Sequence, residues 1–101
     1  MAYERLLRDC FWEYDFSAED IGRIVESGSF KEKLFLFEKI LSNSTDLLLD
    51  LQIFDKEELR RLLDSYSVPS FNHDYLKRRK NIVEYFFFDE PLDIEELKWI
   101  A

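Results

Sequence analysis

Apolar residues recur along this chain at intervals of three and four, and no stretch alternates strictly, so the pattern predicts helices throughout and no sheet. Tyr3, Leu6, Leu7, Cys10, Phe11 and Tyr14 form one stripe on a first helix. Ser17 is placed to cap a second helix over Ala18 to Ser27, with Ile21, Ile24 and Val25 facing inward and Gly28 supplying a left-handed stop. Ser29 and Glu32 have the spacing of a capping box and open the longest apolar run, Phe30 to Leu41. On its wheel Phe30, Leu34, Phe37 and Leu41 share a line that Leu36 and Ile40 widen, while Phe35 falls about 140° away among charged residues. That helix either buries two faces or shows Phe35 to a partner.

Asn43-Ser44-Thr45-Asp46 reads as a turn with its own cap, leading into Leu47 to Phe54, a short helix too apolar to be exposed. Asp55 with Glu58 repeats the capping signature ahead of a stripe of Leu59, Leu62, Leu63 and Tyr66, which Val68-Pro69-Ser70 ends. A longer helix follows from about Asn72 to Phe88, and a last one, capped by Asp93 with Glu96, carries Ile94, Leu97 and Ile100. The expected fold is all-α: a compact bundle of five or six short helices in a single domain over residues 1–101.

Composition narrows the possibilities. The chain is 17% aromatic, too apolar for a solvated tail, and its single Cys rules out an internal disulfide framework and any Cys-rich zinc module. No run of 18 apolar residues offers a membrane span, and the N-terminus lacks the apolar core of a signal peptide, so the expected location is cytoplasmic. Two Gly leave no phosphate-cradling loop, and His73 is the only histidine, beside a helix start where a capping role suits it better than a general base. Cys10 lies inside the first stripe and reads as a small core residue. Acidic pairs such as Glu57-Glu58 fall where helix dipoles favour negative charge for structural reasons. The sequence therefore predicts no enzyme, no cofactor and no metal site.

The formal net charge is −8, yet residues 56–80 carry seven basic against four acidic groups, followed by six acidic against one basic over 81–101. The basic segment is either a solvated face or, through Arg60, Arg61, Lys77, Arg78 and Lys80, a nucleic-acid contact for an autoregulator. The overall charge and a turn too long for a helix-turn-helix weigh against nucleic acid. Arg79 stands within about 40° of the apolar line Tyr75, Ile82 and Phe86, so it must find carboxylates or carbonyls inside the fold, or mark a pocket or interface. Tyr85-Phe86-Phe87-Phe88 covers nearly the whole circumference of a helix, more aromatic surface than a small domain readily buries. It is either core under the last helix or an interface, including one between two copies of the chain.

The stretch Phe11-Trp12-Glu13-Tyr14-Asp15-Phe16-Ser17, then Gly28, Lys33-Leu34-Phe35-Leu36-Phe37-Glu38-Lys39-Ile40-Leu41, Asn43 and Phe54-Asp55-Lys56-Glu57-Glu58-Leu59, resembles a group of small prokaryotic proteins. These are often encoded beside nucleotidyltransferase-type toxins and are regarded as their antitoxins. The likeness runs over roughly residues 6–85 and contains no catalytic motif. It implies an all-helical, non-enzymatic protein that binds and restrains a partner, and it carries over no site residue. An acidic chain suits the basic groove of a toxin that handles nucleotides. The expected contacts are Phe35, Tyr85, Phe87, Phe88 and Trp99 for affinity, with Asp89 and Glu90 opening the acidic flank 89–96.

Overall fold

The computed structural model describes residues 3–11 and 17–91. Among them are six α-helices and one 3-10 turn, with no strand: α1 (Glu4–Cys10), α2 (Ala18–Ser27), α3 (Phe30–Asn43), α4 (Leu47–Asp50), the turn Leu51–Ile53, α5 (Lys56–Ser65) and α6 (His73–Phe88). The all-α architecture agrees with the apolar spacing. Trp12 and Tyr14 lie outside the described residues, as do Trp99 and the helix expected from Asp93.

Side-chain caps set the starts of α2, α3 and α5, whereas α1, α4 and α6 begin without one, including α4 after the turn that reads as carrying its own cap. The Ser17 hydroxyl accepts from the Asp20 amide at 3.3 Å and the Asp20 carboxylate accepts from the Ser17 amide at 2.9 Å. Ser29 and Glu32 do the same at 3.2 and 3.0 Å. Each box satisfies two amides that the helix itself leaves without partners. Asp55 caps α5 through the Glu58 amide at 2.8 Å. Glu58 does not reach back; its carboxylate meets Lys33 of α3 at 2.5 Å, with both side chains mostly buried. What reads as a second half of a capping box is a bridge between helices.

Gly28 is not left-handed. It is extended, with φ −69° and ψ 157°, and its amide closes the last turn of α2 on the Ile24 carbonyl. Its lack of a side chain matters for space: a Cβ there would stand 2.6 Å from the Ile24 oxygen. Among the described residues the left-handed positions are Asn72, before α6, and Asp89, after it. Both residue types tolerate that conformation, which explains how a chain with two glycines makes these reversals.

α3 is the central element, packed against α1, α2, α4, α5 and α6. Leu36, Phe37, Ile40 and Leu41 are fully buried, and α1 adds Leu6, Cys10 and Phe11 to the same core. Phe35 is half-buried, its ring 6.0 Å from that of Phe11 and 5.8 Å from the Lys39 ammonium, so α3 covers apolar surface on two sides. Phe30, placed on the core line by the sequence, is exposed at the first turn, and Leu49 is exposed on the short α4.

The facing of α6 also differs from the sequence expectation. Its buried residues are Leu76 and Val83, while Tyr75 and Phe86 are exposed and Ile82 is half-buried. The expected line Tyr75–Ile82–Phe86 lies along the edge of the contact. Leu76 and Val83 are seven apart and nearly eclipsed, as are Tyr75 and Ile82, so the helix offers two apolar lines about 100° apart and tertiary packing selects one.

Candidate functional site

Arg79 is accounted for inside the fold. Its Nε donates to the Leu41 carbonyl at 2.5 Å and Nη2 to the Ser44 carbonyl at 2.7 Å, at the C-terminal end of α3. The Tyr75 hydroxyl donates to the Ser42 carbonyl at 3.3 Å, and the guanidinium lies 5.3 Å from the Tyr75 ring. Side chains of α6 thus satisfy three carbonyls that α3 leaves open, with a cation at the negative end of its dipole. Around the same junction the Asp9 carboxylate accepts from the Thr45 amide and hydroxyl at 3.1 and 2.6 Å, and Ser44 hydrogen-bonds to the buried Asp50. The Thr45 hydroxyl, with help from its amide and from Arg8, holds the Asp9 carboxyl below its ordinary range against the opposing effect of burial. Cys10 is buried nearby; desolvation, aided by the charges of Asp9 and Asp50, pushes its thiol up to about 12, leaving it protonated at neutral pH. These groups lock helices together and present no reactive set to solvent.

The other end of α6 is open. Asp89 is left-handed, with φ 55°; its amide donates to the Tyr85 carbonyl and that of Glu90 to the Glu84 carbonyl, which ends the helix and turns the chain toward α5. Glu90 meets Arg60 there, and Arg60 also pairs with Asp64 at 2.9 Å. These bonds, that to Glu90 first, raise the Arg60 pKa above its already high value. The guanidinium stands 5.1 Å from the centre of the Phe88 ring, and the Lys56 ammonium 5.8 Å from it. Lys56, Glu57, Arg60, Arg61 and Phe88 line an open cleft of about 760 Å³. A smaller groove of about 370 Å³ adjoins it through Lys56 and is lined also by Gln52, Phe54, Leu59, Phe86 and Phe87.

The four consecutive aromatics divide between core and surface. Phe87 and Phe88 are half-buried and packed on the core, whereas Tyr85 and Phe86 are 51% and 54% exposed. Phe86 stands edge-on to Phe87 at 5.0 Å, and Phe87 lies 6.4 Å from Phe88, so the rings form a connected surface. Helical periodicity places Phe86 on the inward line and so does not reveal it as a surface group. Nor does it reveal Phe71, which is 78% exposed on the turn before α6, where periodicity says nothing.

The predicted site residues are brought together only in part. Tyr85, Phe87, Phe88, Asp89 and Glu90 share the α6 terminus, Phe35 lies at the α1–α3 contact, and Trp99 is outside the described residues. Asp89 is exposed, while Glu90 is bound to Arg60. The basic residues spread over separate surfaces. Arg60 and Arg61 line the α5 cleft, whereas Lys77 and Lys80 border a different groove with Val68, His73, Asn81 and Glu84. Lys80 pairs with Glu84 at 3.1 Å, and Arg78 is exposed on α6. His73 faces Asp74 at 3.5 Å near the start of α6.

No group of three His, Cys, Asp or Glu side chains among the described residues is arranged to hold a metal ion. No helix among them is long and apolar enough to cross a membrane. Compared with protein-family models, curated proteins and solved structures, the chain matches none.

Proposed function

We propose that this chain is a non-enzymatic protein-binding module of antitoxin-like type, restraining a nucleotidyltransferase-type toxin. The observation that carries the binding role is the α6 terminus, where Tyr85 and Phe86 are half exposed beside the packed rings of Phe87 and Phe88. Aromatic side chains anchored on a helix supply contact area at low entropic cost, which is why they dominate the energetics of interfaces. The charge of −8 supports a basic partner surface, since complementary fields speed encounter and exclude wrong partners. The toxin identity rests on the sequence resemblance. Nucleic acid is the weaker reading, because Arg60 and Lys80 are already paired within the fold, and Arg60 and Arg61 line a different groove from Lys77 and Lys80.

The test is affinity capture of the tagged chain from its native host, with light scattering of the purified chain as control. A stoichiometric nucleotidyltransferase in the eluate is the expected result. Absence of any stoichiometric protein, with a monomer in solution, would remove the binding role, and a stable homodimer alone would replace it with self-association.

A further inference from the structure

The charge around the exposed rings runs against that of the molecule. In a chain with eight more acidic than basic groups, the cleft at Phe88 is walled by Lys56, Arg60 and Arg61 against the single carboxylate of Glu57. Arg60 is matched by Asp64 and Glu90. Lys56 and Arg61 are exposed and have no carboxylate within ion-pairing distance among the described residues; the contact of Lys56 is the Phe88 ring. Beside these cations, the adjoining groove offers Phe54, Leu59, Phe86 and Phe87 as apolar walls. Lys56 belongs to both openings, so a largely apolar pocket and one that holds the unmatched Lys56 and Arg61 share a lining residue.

Building on the protein-binding role, we propose that this double cleft takes an acidic, apolar segment of the partner protein. A bulky side chain of the segment sits between Leu59, Phe86 and Phe87, and its neighbouring carboxylates settle on Lys56 and Arg61. The chain displays this chemistry within itself: the aromatic run ending at Phe88 is followed by Asp89 and Glu90, and Glu90 folds back onto Arg60. An incoming carboxylate finds the same kind of partner in the cations that Glu90 leaves open. A polyanion such as RNA fits less well. Among the described residues it would find only Lys56 and Arg61 unmatched in the cleft, too few for a polyanion.

The experiment is fluorescence anisotropy of the full chain with a labelled octapeptide alternating Asp or Glu with Phe and Leu. Comparison probes have Lys for every acid, Ala for every apolar residue, or are an octauridylate. The acidic, apolar peptide is expected to bind saturably, at least about tenfold tighter than each comparison probe, and more weakly as salt is added. Lys56→Glu with Arg61→Glu is expected to weaken it by about tenfold or more, and Lys56→Gln with Arg61→Gln by less. Both positions are exposed, and a far-ultraviolet dichroism spectrum checks that the variants fold. No saturable binding, equal binding of the Lys peptide, tighter binding of the uridylate, or an unchanged K56E/R61E variant would each overturn the proposal. So would light scattering that shows a dimer of the unmodified chain lost in that variant, since a second copy would then occupy the cleft. A host partner captured equally by the unmodified chain and by K56E/R61E would leave the binding role standing and remove this cleft from it.

Discussion

Arg79 closes α3 from the side, and its worth follows from what it leaves exposed when removed. The Leu41 and Ser44 carbonyls lose charged donors at 2.5 and 2.7 Å in a part-buried junction. Arg79→Ala is expected to cost about 2–3 kcal/mol in urea unfolding, and Arg79→Lys to recover only part of it, because one ammonium cannot reproduce a planar fork directed at two carbonyls. Equal stability of R79A and the unmodified chain would mean that water replaces the guanidinium without loss. The glycines make a second, paired case. Gly28→Ala drives a Cβ to 2.6 Å from the Ile24 oxygen and is expected to destabilise by about 1–3 kcal/mol, although the backbone angles suit any residue. Gly22→Ala, inside α2 with the Tyr3 ring at 3.8 Å, is expected to stabilise by about 0.5–1 kcal/mol. The same unfolding series reads both, and the prediction is opposite signs.

The starts of α2, α3 and α5 are legible in the sequence because their causes are local. Ser17 and Ser29 need only the third residue onward to complete a box, and the structure shows both boxes closed. The same reasoning misread Glu58, whose carboxylate is taken by Lys33, 25 residues away. It also missed the facing of α6, since Leu76–Val83 and Tyr75–Ile82 are both sound apolar lines and only the position of α3 decides between them. The boundary between core and surface aromatics was hidden for this reason: turning the helix by one residue exchanges Phe86 for Phe87. The boxes predict a pH effect with a definite sign. Asp20 and Glu32 each accept a backbone amide first of all, which holds their pKa below the ordinary 3.8 and 4.5. A carboxyl lowered on folding stabilises above its unfolded pKa, and that contribution disappears as pH falls through the folded value. Asp20→Asn with Glu32→Gln is therefore expected to destabilise at neutral pH, with the difference from the unmodified chain shrinking below about pH 4. A constant difference down to pH 2 in urea midpoints would show that shape, not charge, makes these caps.

At the scale of the molecule, one helix organises the fold and another presents it. α3 contributes four fully buried residues and contacts most of its neighbours, while α6 is fastened to the end of α3 by Arg79 and Tyr75 and to α5 through Arg60 and Glu90. That double attachment holds the aromatic terminus in place, so Tyr85 and Phe86 stand on a fixed support and need little further ordering to bind. The net charge of −8 gives the whole molecule an acidic field. The most direct measurement is quantitative mass spectrometry of host proteins captured by the tagged chain and by its Tyr85→Ser, Phe86→Ser double variant. Both positions are exposed, so the variant is expected to keep its fold and lose a stoichiometric partner held by the unmodified chain. Capture of the same partner at the same level by both proteins would contradict the assignment of the α6 terminus as the binding surface.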